Sequence, residues 1–163
     1  MTEHQPRVTA LSWGVKQSFR TYVEATGGVI EARDGAERAD DGAFTFAAVP
    51  GGDLRLDADG RLEGHGSFLG EVRFEAHGGM LSVCLADPML EIGPTGAVVT
   101  VADSSARTYR LEVAHLDLGA ITSGESGEIV IPATVSIHGS QLLGDHYPPR
   151  TPLDPVRLIL APR

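Results

Sequence analysis

The feature that most constrains this chain is a change of hydrophobic period near its first glycine pair. Before Gly27-Gly28, apolar residues fall at Leu11, Val15, Phe19, Tyr22 and Val23. Gaps of three and four predict a helix from Thr9 to Ala25. Thr9 or Ser12 is placed to cap its start, and the glycine pair to stop it. After the glycines the period becomes two. Phe44 and Phe46 alternate with Thr45, Leu54 and Leu56 with Arg55, Val72 and Phe74 with Arg73 and Glu75. Leu90 and Ile92 flank Glu91; Tyr109, Leu111 and Val113 alternate with Arg110 and Glu112; Val135 and Ile137 flank Ser136. Turn chemistry bounds these runs, as in Pro50-Gly51-Gly52-Asp53 and Asp57-Ala58-Asp59-Gly60. Such a pattern predicts a mainly β chain: an antiparallel sandwich or barrel-like sheet of about ten strands, a long N-terminal helix and room for a short second one. Arg33 to Gly42 reads as an exposed loop. Pro148, Pro149 and Pro152 read as a stiff turn before a last strand around Val156 to Leu160.

Neither a repeat nor a linker interrupts the 163 residues, so one domain spanning 1–163 is expected. With 42% hydrophobic and 21% charged residues the chain is composed like a globular protein. The net charge is −9, and Lys16 is its only lysine. No basic patch stands out, which argues against a nucleic-acid partner. No apolar run reaches the roughly 18 residues of a membrane span. Met1 to Arg7 is polar and lacks the form of a secretory signal. A cytoplasmic protein is expected as the sequence stands, or a secreted or surface one if a leader has been removed. Cys84 is the single cysteine, so an internal disulfide or a cysteine-built metal centre is not expected. Within the apolar run Leu81 to Leu85 it reads as a buried structural thiol.

Candidate chemistry is sparse. The chain has no phosphate loop and no Gly-x-Ser-x-Gly elbow. Among the six histidines (His4, His65, His77, His115, His138 and His146) no pair has the i, i+4 spacing of a helical zinc motif. Ser18 and Tyr22 share a helical face one turn apart, an unusual pairing of hydroxyl and phenol on a largely apolar surface. On the residues alone, a core tyrosine with a satisfied hydroxyl is the simpler reading. His77 follows Val72-Arg73-Phe74-Glu75-Ala76, and alternation puts it on the face of Arg73 and Glu75 at a strand end. Gly78-Gly79 beside it leaves room for another group to approach.

Longer segments carry a resemblance. Leu11-Ser12-Trp13-Gly14-Val15-Lys16-Gln17-Ser18-Phe19-Arg20-Thr21-Tyr22-Val23 resembles the opening of HtaA-type haem-binding domains. Gly70 to Leu81, containing Phe74-Glu75-Ala76-His77-Gly78-Gly79, is similar to their central strand, and Leu85-Ala86-Asp87-Pro88-Met89-Leu90-Glu91-Ile92 to the segment after it. Pro132-Ala133-Thr134 and Leu153-Asp154-Pro155-Val156 resemble the closing region. The resemblance implies a mostly β fold with an N-terminal helix and a function in bacterial haem uptake and transfer. It implies ferric haem b as cofactor, with Tyr22 as axial ligand, His77 hydrogen-bonded to that tyrosine and Ser18 at a haem propionate. It also implies a haem donor or acceptor protein as partner, and leaves the oligomeric state open. Family members often carry a porphyrin-stacking aromatic near the end of the domain. Here Gln141-Leu142-Leu143-Gly144-Asp145-His146-Tyr147 has Leu142 and Leu143 for apolar contact, with His146 and Tyr147 close by in sequence.

The chemistry of that assignment is coherent. A phenolate is a hard ligand that favours ferric iron. A free phenol titrates near ~10, so the metal's charge must deprotonate it. A histidine behind it orients the oxygen, and protonating that histidine would weaken the bond. Two alternatives stay open. One is a haem-dependent enzyme, peroxidase-like or haem-degrading, with His65, His138 or His146 as acid–base group. The other is a β-sandwich binding module without haem.

Overall fold

The computed structural model describes residues 7–57, 61–94, 96–104, 106 and 109–161. The polar start Met1 to Pro6, with His4, and most of the Asp57-Ala58-Asp59-Gly60 turn lie outside the described residues. The strands are β1 (Val8–Trp13), β2 (Val29–Arg33), β3 (Glu37–Arg38), β4 (Phe44–Ala48), β5 (Arg55–Leu56), β6 (Leu62–Glu63) and β7 (His65–Leu69). They continue as β8 (Glu71–Ala76), β9 (Leu81–Gly93), β10 (Gly96–Ala102), β11 (Arg110–Leu116), β12 (Thr122–Ser123), β13 (Ile129–Val135) and β14 (Pro152–Leu160). Two α-helices, α1 (Gln17–Ala25) and α2 (Ile137–Leu142), complete the frame.

The mainly β, antiparallel, barrel-like architecture expected from the alternation is what forms. Eight strands close a ring in the order β1, β4, β7, β9, β10, β11, β13, β14, and β14 pairs back to β1. The long strand β9 makes the closure possible. One of its edges pairs with β10; the other pairs first with β8 and then with β7. The changeover sits at Asp87, whose N–H donates to the Gly70 carbonyl at 2.7 Å while its Oδ1 accepts the Gly70 N–H at 3.1 Å. Gly70 has φ +142 and lies against Ala36, so only glycine fits there. Pro88 falls where the β9–β10 register shifts, an irregularity that spares a missing N–H. β8 and β2 extend from this point as a flap off the ring. The buried Glu71 carboxylate ties the flap's strands together, accepting from Arg33 Nε and Arg73 Nε at 2.6 and 3.0 Å.

One hydrophobic core joins ring, flap and helix. Leu11, Trp13, Phe44, Phe46, Phe68, Leu90, Ile131 and Leu158 belong to the same buried cluster as Phe19 and Val23 of α1. Phe74 of the flap meets Phe19 and Phe44 edge-on, with ring centroids 5.1 and 5.8 Å apart. Cys84 is buried beside Ala86 and Ala102, as expected.

Several local expectations are corrected. The helix does not begin at Thr9: Val8–Trp13 is a strand, paired on both sides by β4 and β14. Leu11 and Trp13 are buried at period two, and Val15, with φ +64, turns the chain into α1. Accordingly neither Thr9 nor Ser12 caps the helix, and the flanking residue Lys16 makes no side-chain cap. The strand around Ser136 stops at Val135, because Ser136 accepts the Gly139 N–H and opens α2, leaving Ile137 exposed. Tyr109 lies outside β11 and is exposed. The loop from Arg33 to Gly42 is largely exposed but holds the short strand β3.

Candidate functional site

Helix α1 is nine residues long, too short to persist alone, so its place is set by what it packs against. Phe19 and Val23 face the core, which leaves Ser18 and Tyr22 exposed on the neighbouring face of the helix. The predicted stop is present in full. The Gly27 and Gly28 N–H groups donate to the Glu24 and Val23 carbonyls, and Gly27 has φ +80. Glu24 near this end pairs with Arg38 at 2.9 Å, and that guanidinium holds its carboxyl below the ordinary glutamate range.

Tyr22 is 38% exposed on an open face. Its hydroxyl is 2.7 Å from His77 Nε2. His77 does not continue the β8 alternation. The strand ends at Ala76, and His77, at φ +54, opens a single 3-10 turn. That left-handed backbone swings the imidazole to the phenol. Gly78 and Gly79 serve the same turn, with φ +66 and +94; the space around them is open, so they admit the conformation and are not required for a close contact.

A second imidazole also lies beside the phenol. The His146 ring lies 5.8 Å from the Tyr22 ring, the same centroid separation as His77. Ser18 Oγ is 3.0 Å from the Tyr147 hydroxyl. Tyr147 packs edge-on to Phe19, and its carbonyl accepts from Ser140 Oγ of α2. Lys16 lies over the Tyr147 ring, with Nζ 5.6 Å from the centroid. Four pieces therefore converge: α1, the turn after β8, the start of the segment after α2, and Lys16 before α1. Met80, which closes the His77 turn, is 91% exposed, a large apolar side chain left in solvent.

The remaining candidates separate. Leu142 is half-buried against the core, whereas Leu143 is buried among Trp13, Val15, Leu85, Val113 and Leu153. His65 accompanies Asp53, its Nδ1 2.9 Å from the carboxylate, and His138 is exposed on α2. Of the three histidines considered as acid–base groups, His146 is the one in ring contact with Tyr22. A residue that sequence reasoning did not single out is Asp154 of β14. Its Oδ1 accepts the Gln17 N–H at 3.0 Å and its Oδ2 accepts from Arg20 Nη1 at 2.7 Å. The contact spans more than a hundred residues, so no local pattern announces it.

Chemically, the face offers an accessible phenol oxygen held against an imidazole nitrogen. Among the described residues no three His, Cys, Asp or Glu side chains group to hold a bare metal ion. A single phenol does suit a metal that brings its own equatorial donors and a flat apolar surface, so the residues present fit a metalloporphyrin.

Known proteins give a consistent picture. The family model for HtaA, described as Htaa, matches residues 9–159. A crystal structure of the C-terminal domain of HtaA from Corynebacterium glutamicum is similar at TM-score 0.71 and 26% identity, covering 97% of this chain and 100% of that one. The N-terminal domain of HtaA from the same organism reaches 0.72 at 22% identity, covering 98% and 100%. The haem-binding protein HtaB of that organism reaches 0.67 at 19% identity, covering 96% and 94%. The latter two likenesses bear on the fold alone. No curated protein matches the sequence.

Proposed function

The chain belongs to the HtaA family, and on that premise we propose that it binds ferric haem b on the Tyr22 face for carriage and transfer. The observation that carries this reading is the Tyr22–His77 pair: an accessible phenol whose oxygen is held 2.7 Å from an imidazole nitrogen. Tyr22 would hold the haem iron through its phenol oxygen. His77 would hold the phenol oxygen in place through its Nε2 contact. Ser18, paired with the Tyr147 hydroxyl, offers a hydroxyl to a propionate. Leu142 and Met80 would supply apolar surface, while Leu143 is buried in the core. One oxygen ligand on an open face suits reversible holding, with release to an acceptor protein.

Titration of the apo protein with ferric haem tests this. We expect uptake with a high-spin tyrosinate spectrum, lost in Tyr22→Phe together with about tenfold or more in affinity. The substitution removes one exposed hydrogen bond, so apo stability should change by no more than about 1 kcal/mol. An unchanged spectrum in Tyr22→Phe overturns the ligand assignment. Wild-type protein that takes up no haem overturns the function.

A further inference from the structure

Asp154 of β14 lies outside the Tyr22 face and bonds the start of the helix that carries it. Helix α1 has no side-chain cap from Lys16 and no acidic residue in its first turn. The orphan N–H of Gln17 is met instead by Asp154 Oδ1 at 3.0 Å. The other carboxylate oxygen receives Nη1 of Arg20, one turn further on, at 2.7 Å. Arg20 is 8% exposed, and the same Nη1 also donates to the Gly14 carbonyl at 2.6 Å. The backbone of Asp154 completes the clasp. Its N–H donates to the Val15 carbonyl at 2.9 Å, and its carbonyl accepts from Trp13 Nε1 at 2.8 Å. Two successive points of α1 are thus fixed by one side chain of a barrel strand. Two points fix both the start of a helix and its rotation about its axis, and rotation decides where Tyr22 points.

We propose that Asp154 is a positioning residue for Tyr22: by clasping Gln17 and Arg20 it sets the rotation of α1 that brings the phenol to His77. The role rests on the proposed haem function for its purpose but is readable without haem. Asp154→Ala removes both arms and leaves the orientation of α1 to the packing of Phe19 and Val23.

The test uses isotope-labelled apo protein, with Tyr22→Phe as the reference for a fully broken phenol–imidazole contact. In Asp154→Ala we expect the Gln17 and Arg20 amides to exchange on the order of tenfold faster. We expect the His77 imidazole nitrogen signals to move toward their Tyr22→Phe positions, while Leu158 in β14 keeps its protection. A carboxylate that merely stabilises the fold lowers the melting temperature and leaves those signals in place; wild-type His77 signals in Asp154→Ala overturn the proposal. Should Asp154→Ala not fold, Asp154→Asn replaces it, keeping an acceptor for Gln17 and losing the charge facing Arg20. Movement of the His77 signals there supports the clasp, and wild-type positions overturn it. Wild-type protein that fails to take up haem overturns the function above and leaves this apo result standing.

Discussion

At the scale of the residue, the site turns on a backbone angle. His77 reaches Tyr22 because its φ is +54, a left-handed conformation that costs a side-chain-bearing residue about 1–2 kcal/mol. An exposed histidine at a strand end does not need that conformation for packing, so the strain goes with the 2.7 Å contact to the phenol. The cost can be measured without haem by comparing two variants that both lack the imidazole. His77→Gly should be more stable than His77→Ala by about 1 kcal/mol in urea unfolding, since glycine adopts the angle freely and alanine does not. Equal stabilities would mean that the turn relaxes to an ordinary conformation once the imidazole is gone. In the haem titration both variants should still bind, weakened by about 10- to 100-fold as for loss of a partner behind a metal ligand. The identities of Tyr22, Ser18 and His77 were open to a reader of the sequence through family resemblance. The Tyr22–His77 contact was expected from the resemblance as well; the backbone turn that makes it was not. Alternation put His77 on the face of Arg73 and Glu75, because a period-two rule cannot register a left-handed residue after Ala76.

At the scale of the element, the two helices show why some boundaries were readable and others hidden. The end of α1 was legible because the Gly27-Gly28 stop is local: both glycine N–H groups return to carbonyls within the helix. Its start was not, because Leu11 and Val15 fit a helical stripe while Leu11 and Trp13 fit a strand, and what decides is pairing with β4 and with β14 at the far end of the chain. The cap is equally distant, lying on Asp154. For α2 the alternation of Val135 and Ile137 concealed a helix that Ser136 begins by accepting the Gly139 N–H at 2.9 Å. Gly139 is also why α2 can lie so close to β11. A Cβ there would overlap the Val113 carbonyl oxygen and reach within 2.9 Å of Val135 Cγ2. Neither neighbour is a flexible side-chain tip, so Gly139→Ala should push α2 outward at a cost of about 1–3 kcal/mol. Because Ser140 of α2 holds the Tyr147 carbonyl, the shift should also disturb the Ser18–Tyr147 contact. Chemical denaturation gives the stability and the apo spectrum of the Tyr147 ring gives the displacement; an unchanged stability would show that α2 is not seated by close approach.

At the scale of the whole molecule, the ring depends on one strand. β9 borders β10 along one edge and β8 and β7 along the other, so it belongs at once to the barrel and to the flap that carries His77. No short-range signal in the sequence says that a single 13-residue run will serve three neighbours; its alternating residues promised a strand and nothing about closure. The same sharing leads us to expect one cooperative unit. Leu90 tests it. The side chain is fully buried, opposite Gly66 on one side and Val99 on the other. Leu90→Ala removes three carbons and leaves a cavity, because neighbouring strands locked by ladder hydrogen bonds collapse only partly; the expected loss is about 2–5 kcal/mol. If ring and flap unfold together, the loss appears as a single earlier transition. It should be the same in far-ultraviolet circular dichroism, which sees all strands, and in the fluorescence of Trp13, the only tryptophan, buried in β1. Two transitions, with the Trp13 signal persisting after part of the strand signal has gone, would show that the flap and its His77 turn open apart from the barrel. In that event the phenol–imidazole pair would be lost at denaturant concentrations where the ring still stands, and haem release would follow the flap's stability and not that of the whole chain.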